Sequence, residues 1–123
     1  MEIQAALSET AGRFAALASA QRIQIVRLLL AAHKVGGLAV GQIQAELKMP
    51  GSTLTHHLEK LKQAGLVECK RDRQWIRCSV NIQTLRQMLG FLYEECCTRN
   101  EVVEASPEWA AATERSTCCE NRD

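Results

Sequence analysis

The strongest constraint on the fold is a change in hydrophobic period close to residue 65. Leu54, Leu58 and Leu61 recur at helical spacing, so a helix with one apolar face is predicted, with Ser52 as its N-cap. Gly65 predicts the end of this helix, because glycine readily adopts the left-handed conformation that terminates helices. Apolar and polar residues alternate directly afterwards, which indicates β-structure. The chain therefore passes from a helix straight into a pair of strands.

The alternating segment is predicted to be a β-hairpin whose turn contains Arg71-Asp72-Arg73. Its inward positions are expected to be Val67, Cys69, Ile76, Cys78 and Val80. Trp75 lies near the tip and is expected to pack against the hairpin. Cys69 and Cys78 fall on facing strands, and we interpret them as small core residues rather than ligands, because free cysteine is among the most buried residue types.

Further helices are predicted on both sides of this unit. The first covers residues 7–18, and the second follows Ser19, its predicted N-cap. The third runs from Val40 to Leu47, and the last from Ile82 to Cys97. Leu7 belongs to the apolar stripe of the first helix and Ile23 to that of the second, with Arg22 facing outward. Gly36-Gly37 interrupts the chain before the third helix, and Met49-Pro50-Gly51 is predicted to be a turn.

These elements and the length of 123 residues define the expected organisation. The fold class is mainly α with a small β-hairpin (α+β), in a single domain over residues 1–100. Residues 101–123 are predicted to be an acidic tail that carries cysteines.

Charge is distributed unevenly along the chain. Residues 1–93 hold twelve of the 15 Lys and Arg and six of the 14 Asp and Glu, a balance of +6. The remaining three basic and eight acidic side chains lie in residues 94–123, a balance of −5. A basic body with an acidic tail favours a polyanionic partner for the body.

The order of the predicted elements is typical of a winged helix-turn-helix, in which a short helix, a turn and a second helix lead into a basic hairpin. Hydroxyl and basic side chains on the polar face of the second helix are candidates for contacts with base edges and phosphates. A basic hairpin is suited to neutralising phosphates. The predicted DNA-binding residues are Ser52, Thr53, Thr55, His56, Lys60, Lys70, Arg71, Arg73 and Arg77. His57 lies beside the leucine stripe, and we interpret it as structural or phosphate-anchoring rather than as a base reader.

Two segments resemble a known family. The run from Ser52 to Val67 looks like the recognition helix of the ArsR-type (ArsR/SmtB) repressors, and Gln21 to Leu29 is similar to their second helix. The likeness covers roughly residues 9–95. It implies a homodimer that dimerises through its first and last helices, binds a double-stranded inverted-repeat operator, and releases it when a metal or metalloid binds. Independently, the apolar stripe over residues 85–92 fits a dimer face.

The familiar ligand sites of that family are missing from this sequence. The segment Leu38 to Gln42 contains no cysteine, and Gln83 to Tyr93 contains neither Asp nor His. Two adjacent cysteine pairs, Cys96-Cys97 and Cys118-Cys119, remain. Thiolates prefer soft ions, and trivalent arsenic or antimony takes up to three sulfur ligands. As(III) or Sb(III), bound by these cysteines, is therefore the predicted inducer of an arsenite- or antimonite-responsive repressor.

Other functions fit parts of the pattern. The same cysteines could form a redox switch, although a disulfide between adjacent residues is strained, or could sense another soft metal ion. An enzyme with a cysteine nucleophile is disfavoured, because no cysteine is close in sequence to a histidine and no glycine-rich phosphate loop is present. Neither a secretory signal nor an apolar run of the roughly 18 residues that suggest a membrane span occurs, so a cytoplasmic protein without a membrane partner is expected.

Overall fold

The computed structural model of the chain describes residues 2–94. Its helices are α1 (Glu2–Leu17), α2 (Ala20–Ala31), α3 (Val40–Leu47), α4 (Gly51–Gln63) and α5 (Ile82–Tyr93), and its strands are β1 (Leu38–Ala39), β2 (Val67–Asp72) and β3 (Trp75–Val80). A single 3₁₀ turn, His33–Val35, follows α2. The predicted class, mainly α with a small β-hairpin arranged as a winged helix-turn-helix, is confirmed. Residues up to Arg86 form one compact unit, and a second begins at Gln87.

The sheet has one strand more than the sequence predicts. β1 pairs with β3 on the side opposite to β2, which gives an antiparallel sheet of order β1-β3-β2. Gly37 makes this pairing possible: its φ is +98°, and a Cβ atom there would overlap the Cys78 carbonyl oxygen. The sequence predicts Gly36-Gly37 only as an interruption of the chain. In the structure, the missing side chain of Gly37 lets its backbone lie close to β3, so that β1 can join the sheet.

The core of residues 2–86 is aliphatic and lies between α2, α3, α4 and the sheet. Its fully buried side chains are Ile25, Leu29, Ile43, Leu54, Leu61, Leu66, Val67 and Cys78. The stripe on α4 is as predicted, but those on the first two helices are wrong in part. Leu7 is 46% exposed and Ile23 is 45% exposed, whereas Thr10 and Ile25 are buried. The actual buried face of each helix is thus rotated from the predicted one.

Several element boundaries also differ from prediction. Ser19 caps α2 as expected, its hydroxyl accepting from the Arg22 N–H at 3.4 Å. Ser52 does not cap α4, because the helix begins at Gly51 and Pro50 occupies the N-cap position, two residues before Ser52. Pro50 has a φ of −58° and a ψ of 145°, the non-helical backbone conformation that is usual for an N-cap residue.

The hairpin turn lies further along the chain than predicted. Asp72 pairs with Trp75, so the two-residue loop is Arg73-Gln74 and not Arg71-Asp72-Arg73. Arg73 has a φ of 62°, a left-handed conformation that such a short loop requires.

The predicted alternation of inward and outward residues in the hairpin is correct, but the hairpin extends beyond the core. Ile76 is 48% exposed, so its expected inward position is wrong, and Trp75, expected to pack against the hairpin, is 56% exposed. Cys78 and Val80, nearer the base of the hairpin, are buried as predicted.

No single helix among residues 2–94 is long and apolar enough to cross a membrane. α1 and α2 reach the required length and composition only as a pair, and that pair is bent by 96°.

Candidate nucleic-acid interface

Helix α4 separates its side chains into a buried and a solvent-facing side. Leu54, His57, Leu58 and Leu61 are buried. The five predicted DNA-binding residues of this helix lie on the other side, with Thr53 half-buried and Ser52, Thr55, His56 and Lys60 exposed. The structure therefore brings these five side chains to one accessible surface, as the helical period predicts.

The orientation of α4 is fixed by a hydrogen-bonded histidine. Arg22 Nε donates to His57 Nδ1 at 3.1 Å, and His57 Nε2 lies 2.9 Å from Gln21 Oε1. Because a guanidinium only donates, Nδ1 must be the acceptor, and the proton of the neutral ring sits on Nε2. Arg22 also donates to the Ala16 carbonyl at 3.2 Å, so one side chain connects α1, α2 and α4.

This environment lowers the pKa of His57. Burial contributes most, followed by the positive charges of Arg22 and His56. The ring is 8% exposed and both nitrogens have partners, so the structural interpretation of His57 is confirmed. The sequence did not reveal the partner: Arg22 was expected to face outward, and it is instead half-buried.

The connection between α3 and α4 comprises the three residues Lys48, Met49 and Pro50. Lys48 adopts a left-handed φ of 51°, and Met49 is 6% exposed and anchors the turn. Gln42 Oε1 accepts from the Ala39 N–H at 2.8 Å, which secures the start of α3 without a hydroxyl cap. The short turn thereby sets the two helices of the helix-turn-helix against each other.

The hairpin β2–β3, called the wing from here on, carries four basic residues in two different situations. Lys70, Arg71 and Arg73 are exposed. Arg77 is partly exposed and held against the sheet: its Nη1 donates to the Gly37 carbonyl at 3.2 Å, and its Nε lies 3.6 Å from Asp72 Oδ2. Three of the four predicted wing contacts are therefore free to meet a phosphate, and the fourth braces the wing.

A groove between α1 and α4 gathers further basic residues, of which only Lys60 is among the predicted DNA-binding residues. Arg13, Arg22, Lys60 and Lys62 line one groove there together with Glu9, whose carboxylate is 3.7 Å from Arg13. These side chains come together only in the folded chain, because α1 and α4 are far apart in sequence.

The predicted metalloid ligands Cys96, Cys97, Cys118 and Cys119 lie outside the described residues. Within residues 2–94, no group of three or more His, Cys, Asp and Glu side chains is placed to hold a metal ion. The two cysteines that the structure describes, Cys69 and Cys78, are free thiols.

Comparisons with known proteins agree with this architecture. A family model described as "Helix-turn-helix domain" matches residues 17–70. An HTH-type transcriptional regulator of Methanocaldococcus jannaschii is 37% identical over 62 residues, which are 50% of this chain and 66% of that protein. The nodulation protein NolR of Rhizobium meliloti is 30% identical over 97 residues, which are 79% of this chain and 76% of that protein.

Solved structures extend the likeness to the fold. An ArsR-like transcriptional regulator from Rhodococcus sp. RHA1 has a TM-score of 0.68 at 22% identity, covering 82% of this chain and 92% of its own. A homodimeric winged helix-turn-helix DNA-binding domain from Mycobacterium bovis has a TM-score of 0.61 at 28% identity, covering 76% of this chain and 86% of its own.

A helix-turn-helix with an exposed polar recognition helix and a basic wing defines a DNA-binding transcriptional regulator, not an enzyme. Within that class, the chain belongs to the ArsR family of winged-helix regulators.

Proposed function

We propose that the protein is an arsenite- or antimonite-responsive repressor that acts in the reducing cytoplasm, binds its operator as a homodimer and releases it when As(III) or Sb(III) binds cysteine thiolates. The observation that carries this proposal is the presence of two adjacent cysteine pairs, Cys96-Cys97 and Cys118-Cys119, in the acidic segment after α5. Adjacent thiolates supply two of the up to three sulfurs that these pyramidal centres accept, and a cytoplasmic thiol stays reduced. Residues 1–100 would form the DNA-binding and dimerisation domain, and residues 101–123 the cysteine-bearing tail.

DNA recognition is assigned to the exposed side of α4 and to the wing. Ser52, Thr53, Thr55, His56 and Lys60 would face the major groove. The first bond within the helix runs from the Leu54 N–H to the Pro50 carbonyl at 2.9 Å, so the N–H groups before it point along the axis, where a phosphate is favoured.

The wing supplies charge beside this helix. Lys70, Arg71 and Arg73 would neutralise phosphates, and Arg77 would support them by holding the wing on Gly37 and Asp72.

A second copy of the chain is the proposed partner for the exposed apolar residues of the first and last helices. Ile3 and Leu7 on α1 are 57% and 46% exposed. On α5, Leu89, Leu92 and Tyr93 are 42%, 59% and 51% exposed. Large apolar side chains at such exposure favour a protein interface, and the M. bovis relative is homodimeric. Two copies would place their recognition helices in successive major grooves, about 34–36 Å apart.

Ligand binding and DNA binding would be coupled through α5. The cysteine pair 96–97 follows this helix within a few residues, so thiolate capture of the metalloid would alter the end of a dimer-forming helix. A coupling of about 1–3 kcal/mol is usual between two such sites and corresponds to a change of roughly 5- to 150-fold in affinity. By reciprocity, operator DNA would weaken metalloid binding by the same factor.

The test uses the full-length reduced protein and an operator duplex selected by that protein from random-sequence DNA. Arsenite is titrated into the labelled complex for the wild type, Cys96→Ser/Cys97→Ser and Cys118→Ser/Cys119→Ser, with Cys69→Ala as a cysteine control in the wing. We expect release from the wild type and the control, and no release from the 96–97 variant. Retained release in both double variants would overturn the proposal.

A further inference from the structure

The wing contains a pair of cysteines that the metalloid proposal does not use. Cys69 on β2 and Cys78 on β3 are direct partners in the antiparallel register. Directly opposed residues of antiparallel strands have Cα atoms about 4.5 or 5.5 Å apart, within the range of about 4.4–6.8 Å that a disulfide spans. The backbone therefore already holds both residues at bridging distance.

The two thiols differ in exposure and in acidity. Cys78 is fully buried, whereas Cys69 is half-buried and reachable from solvent. Cys78, as a thiol donor to the Cys69 thiolate, lowers the pKa of Cys69. The ammonium of Lys62 lowers it further, while burial and the carboxylate of Glu59 act in the opposite direction. For Cys78, the same hydrogen bond and burial raise the pKa.

These differences give the two cysteines complementary roles. A thiolate is the reactive form of cysteine, and a partly exposed thiol beside a cation meets the condition for reactivity. A buried thiol at the directly opposed position cannot be reached by a solute but is placed to attack the neighbouring sulfur. Cys69 is thus placed to react first, and Cys78 to complete a bond.

We propose that Cys69 and Cys78 form an oxidative modification site in the wing, which hydroperoxides convert into a cross-strand disulfide. A bound ion is a poorer fit, because the ion would need space and further ligands next to Cys78, which is buried, and residues 2–94 offer no third ligand grouped with the pair. A disulfide needs neither the extra space nor the further ligands.

The reaction balances in two steps. The Cys69 thiolate attacks the terminal oxygen of a hydroperoxide, the O–O bond breaks, and the products are the Cys69 sulfenic acid and an alkoxide, which takes a proton from water. The Cys78 thiol then attacks the sulfenic sulfur, forming the S–S bond and releasing water. Overall, two thiols are oxidised by two electrons, and one hydroperoxide is reduced to an alcohol and water. A thiol reductant reverses the change by exchange.

The experiment keeps the full chain and removes only the other cysteines, by the fourfold variant Cys96→Ser/Cys97→Ser/Cys118→Ser/Cys119→Ser. The folded, reduced protein is treated with hydrogen peroxide or cumene hydroperoxide, alkylated and digested with trypsin. Cys69 and Cys78 fall in the separate peptides 63–70 and 78–86, which only a disulfide can join.

We expect these two peptides to appear linked within one monomer, at a mass lower by two hydrogen atoms, and to separate after reduction with dithiothreitol. Adding Cys78→Ala should stop the reaction at a Cys69 sulfenic acid that dimedone traps. Adding Cys69→Ser instead should leave Cys78 reduced.

Absence of the linked peptides in the fourfold variant, or their appearance only after the protein has been denatured, would overturn the proposal. That measurement does not depend on whether the Cys78 variant folds. It also uses no arsenite and no DNA, so its result is independent of the proposed metalloid response.

Discussion

His56 and His57 are adjacent on α4 and have opposite surroundings. The His56 ring is exposed on the side predicted to face DNA, while the His57 ring is buried and hydrogen-bonded to α2 through both nitrogens. Their ring centroids are 5.8 Å apart. One turn of helix thus holds a side chain available for contact and another that fixes the position of the helix. The buried histidine accepts from an arginine, so a proton on its Nδ1 would oppose a positive charge.

The first prediction concerns the pH dependence of stability. The pKa of His57 in the folded protein is lowered from its ordinary value of 6.5. Above about pH 7, the ring is neutral in both folded and unfolded chains; as the pH falls through 6.5, only the unfolded chain gains the proton, so the folded state loses stability. His57→Gln should remove this part of the loss. At pH 7.5 it should itself destabilise by about 1–2 kcal/mol, because a buried hydrogen bond is lost.

Urea unfolding of the full chain at pH 7.5, 6.5 and 5.5 measures this effect. His33→Gln is the control, because His33 is exposed and should keep the wild-type pH dependence. If His57→Gln loses stability with falling pH as steeply as the wild type, the buried ring is not the group responsible.

At the residue scale, sequence reasoning located His57 but not its partner. The spacing of Leu54, Leu58 and Leu61 determines which α4 residues are buried, and residue 57 falls among them. Arg22 is 35 positions away, and no local pattern shows that a charged residue on α2 turns inward to meet a ring nitrogen. Only the packing of α2 against α4 creates that requirement.

At the scale of elements, the wing combines a structural base with an exposed tip. Near the base, Val67 pairs with Val80 and Cys69 with Cys78 over the core. Towards the tip, the same face carries Arg71 opposite Ile76, and both are exposed because the core ends below them. The wing projects its charge beyond the core, as a phosphate contact requires.

The second prediction separates the charges of the wing by role. Arg71→Gln and Arg73→Gln should each weaken operator binding and reduce the slope of log K against log salt by about 0.9, the effect of losing one phosphate contact. Arg77→Gln should mainly destabilise the fold, by about 1 kcal/mol, because the hydrogen bond to the Gly37 carbonyl is lost.

Fluorescence anisotropy at several salt concentrations, together with thermal unfolding of each variant, distinguishes the two effects. Arg27→Gln, an exposed α2 variant outside the predicted DNA surface, is the charge-matched control. An unchanged salt slope for both Arg71→Gln and Arg73→Gln would exclude the wing from phosphate contact.

The elements differ in how far sequence alone could define them. α4 and the wing follow from a long apolar stripe and a long alternation, which are strong local signals. β1 is only two residues long and exists because β3 offers it an edge, so its signal lies in the partner strand and in Gly37. The turn position depends on which residues of β2 and β3 pair, which the alternation alone leaves open by a residue or two.

At the scale of the whole molecule, the proposed activity depends on two copies acting together. One recognition helix reads a single half-site, and a helix-turn-helix dimer binds two half-sites whose spacing matches the distance between its two recognition helices. The strongest local evidence for dimerisation is the group of exposed apolar residues on α5. Leu89 and Leu92, from the apolar stripe predicted over residues 85–92, are exposed to solvent.

The last prediction therefore tests whether these α5 residues hold the dimer. Leu89→Glu/Leu92→Glu places two charges where an apolar contact is proposed, and burying unpaired charges is costly. The variant should be monomeric by sedimentation equilibrium at concentrations where the wild type is dimeric, with its helical content retained by circular dichroism. Its affinity for a two-half-site operator should fall towards that for a single half-site.

Val35→Glu is the control. Val35 is even more exposed, at 72%, but lies outside the first and last helices, so this variant should remain dimeric. If the Leu89→Glu/Leu92→Glu variant is still dimeric, the interface lies elsewhere. The proposed coupling between metalloid binding at the cysteines and DNA binding would then have no physical path through α5.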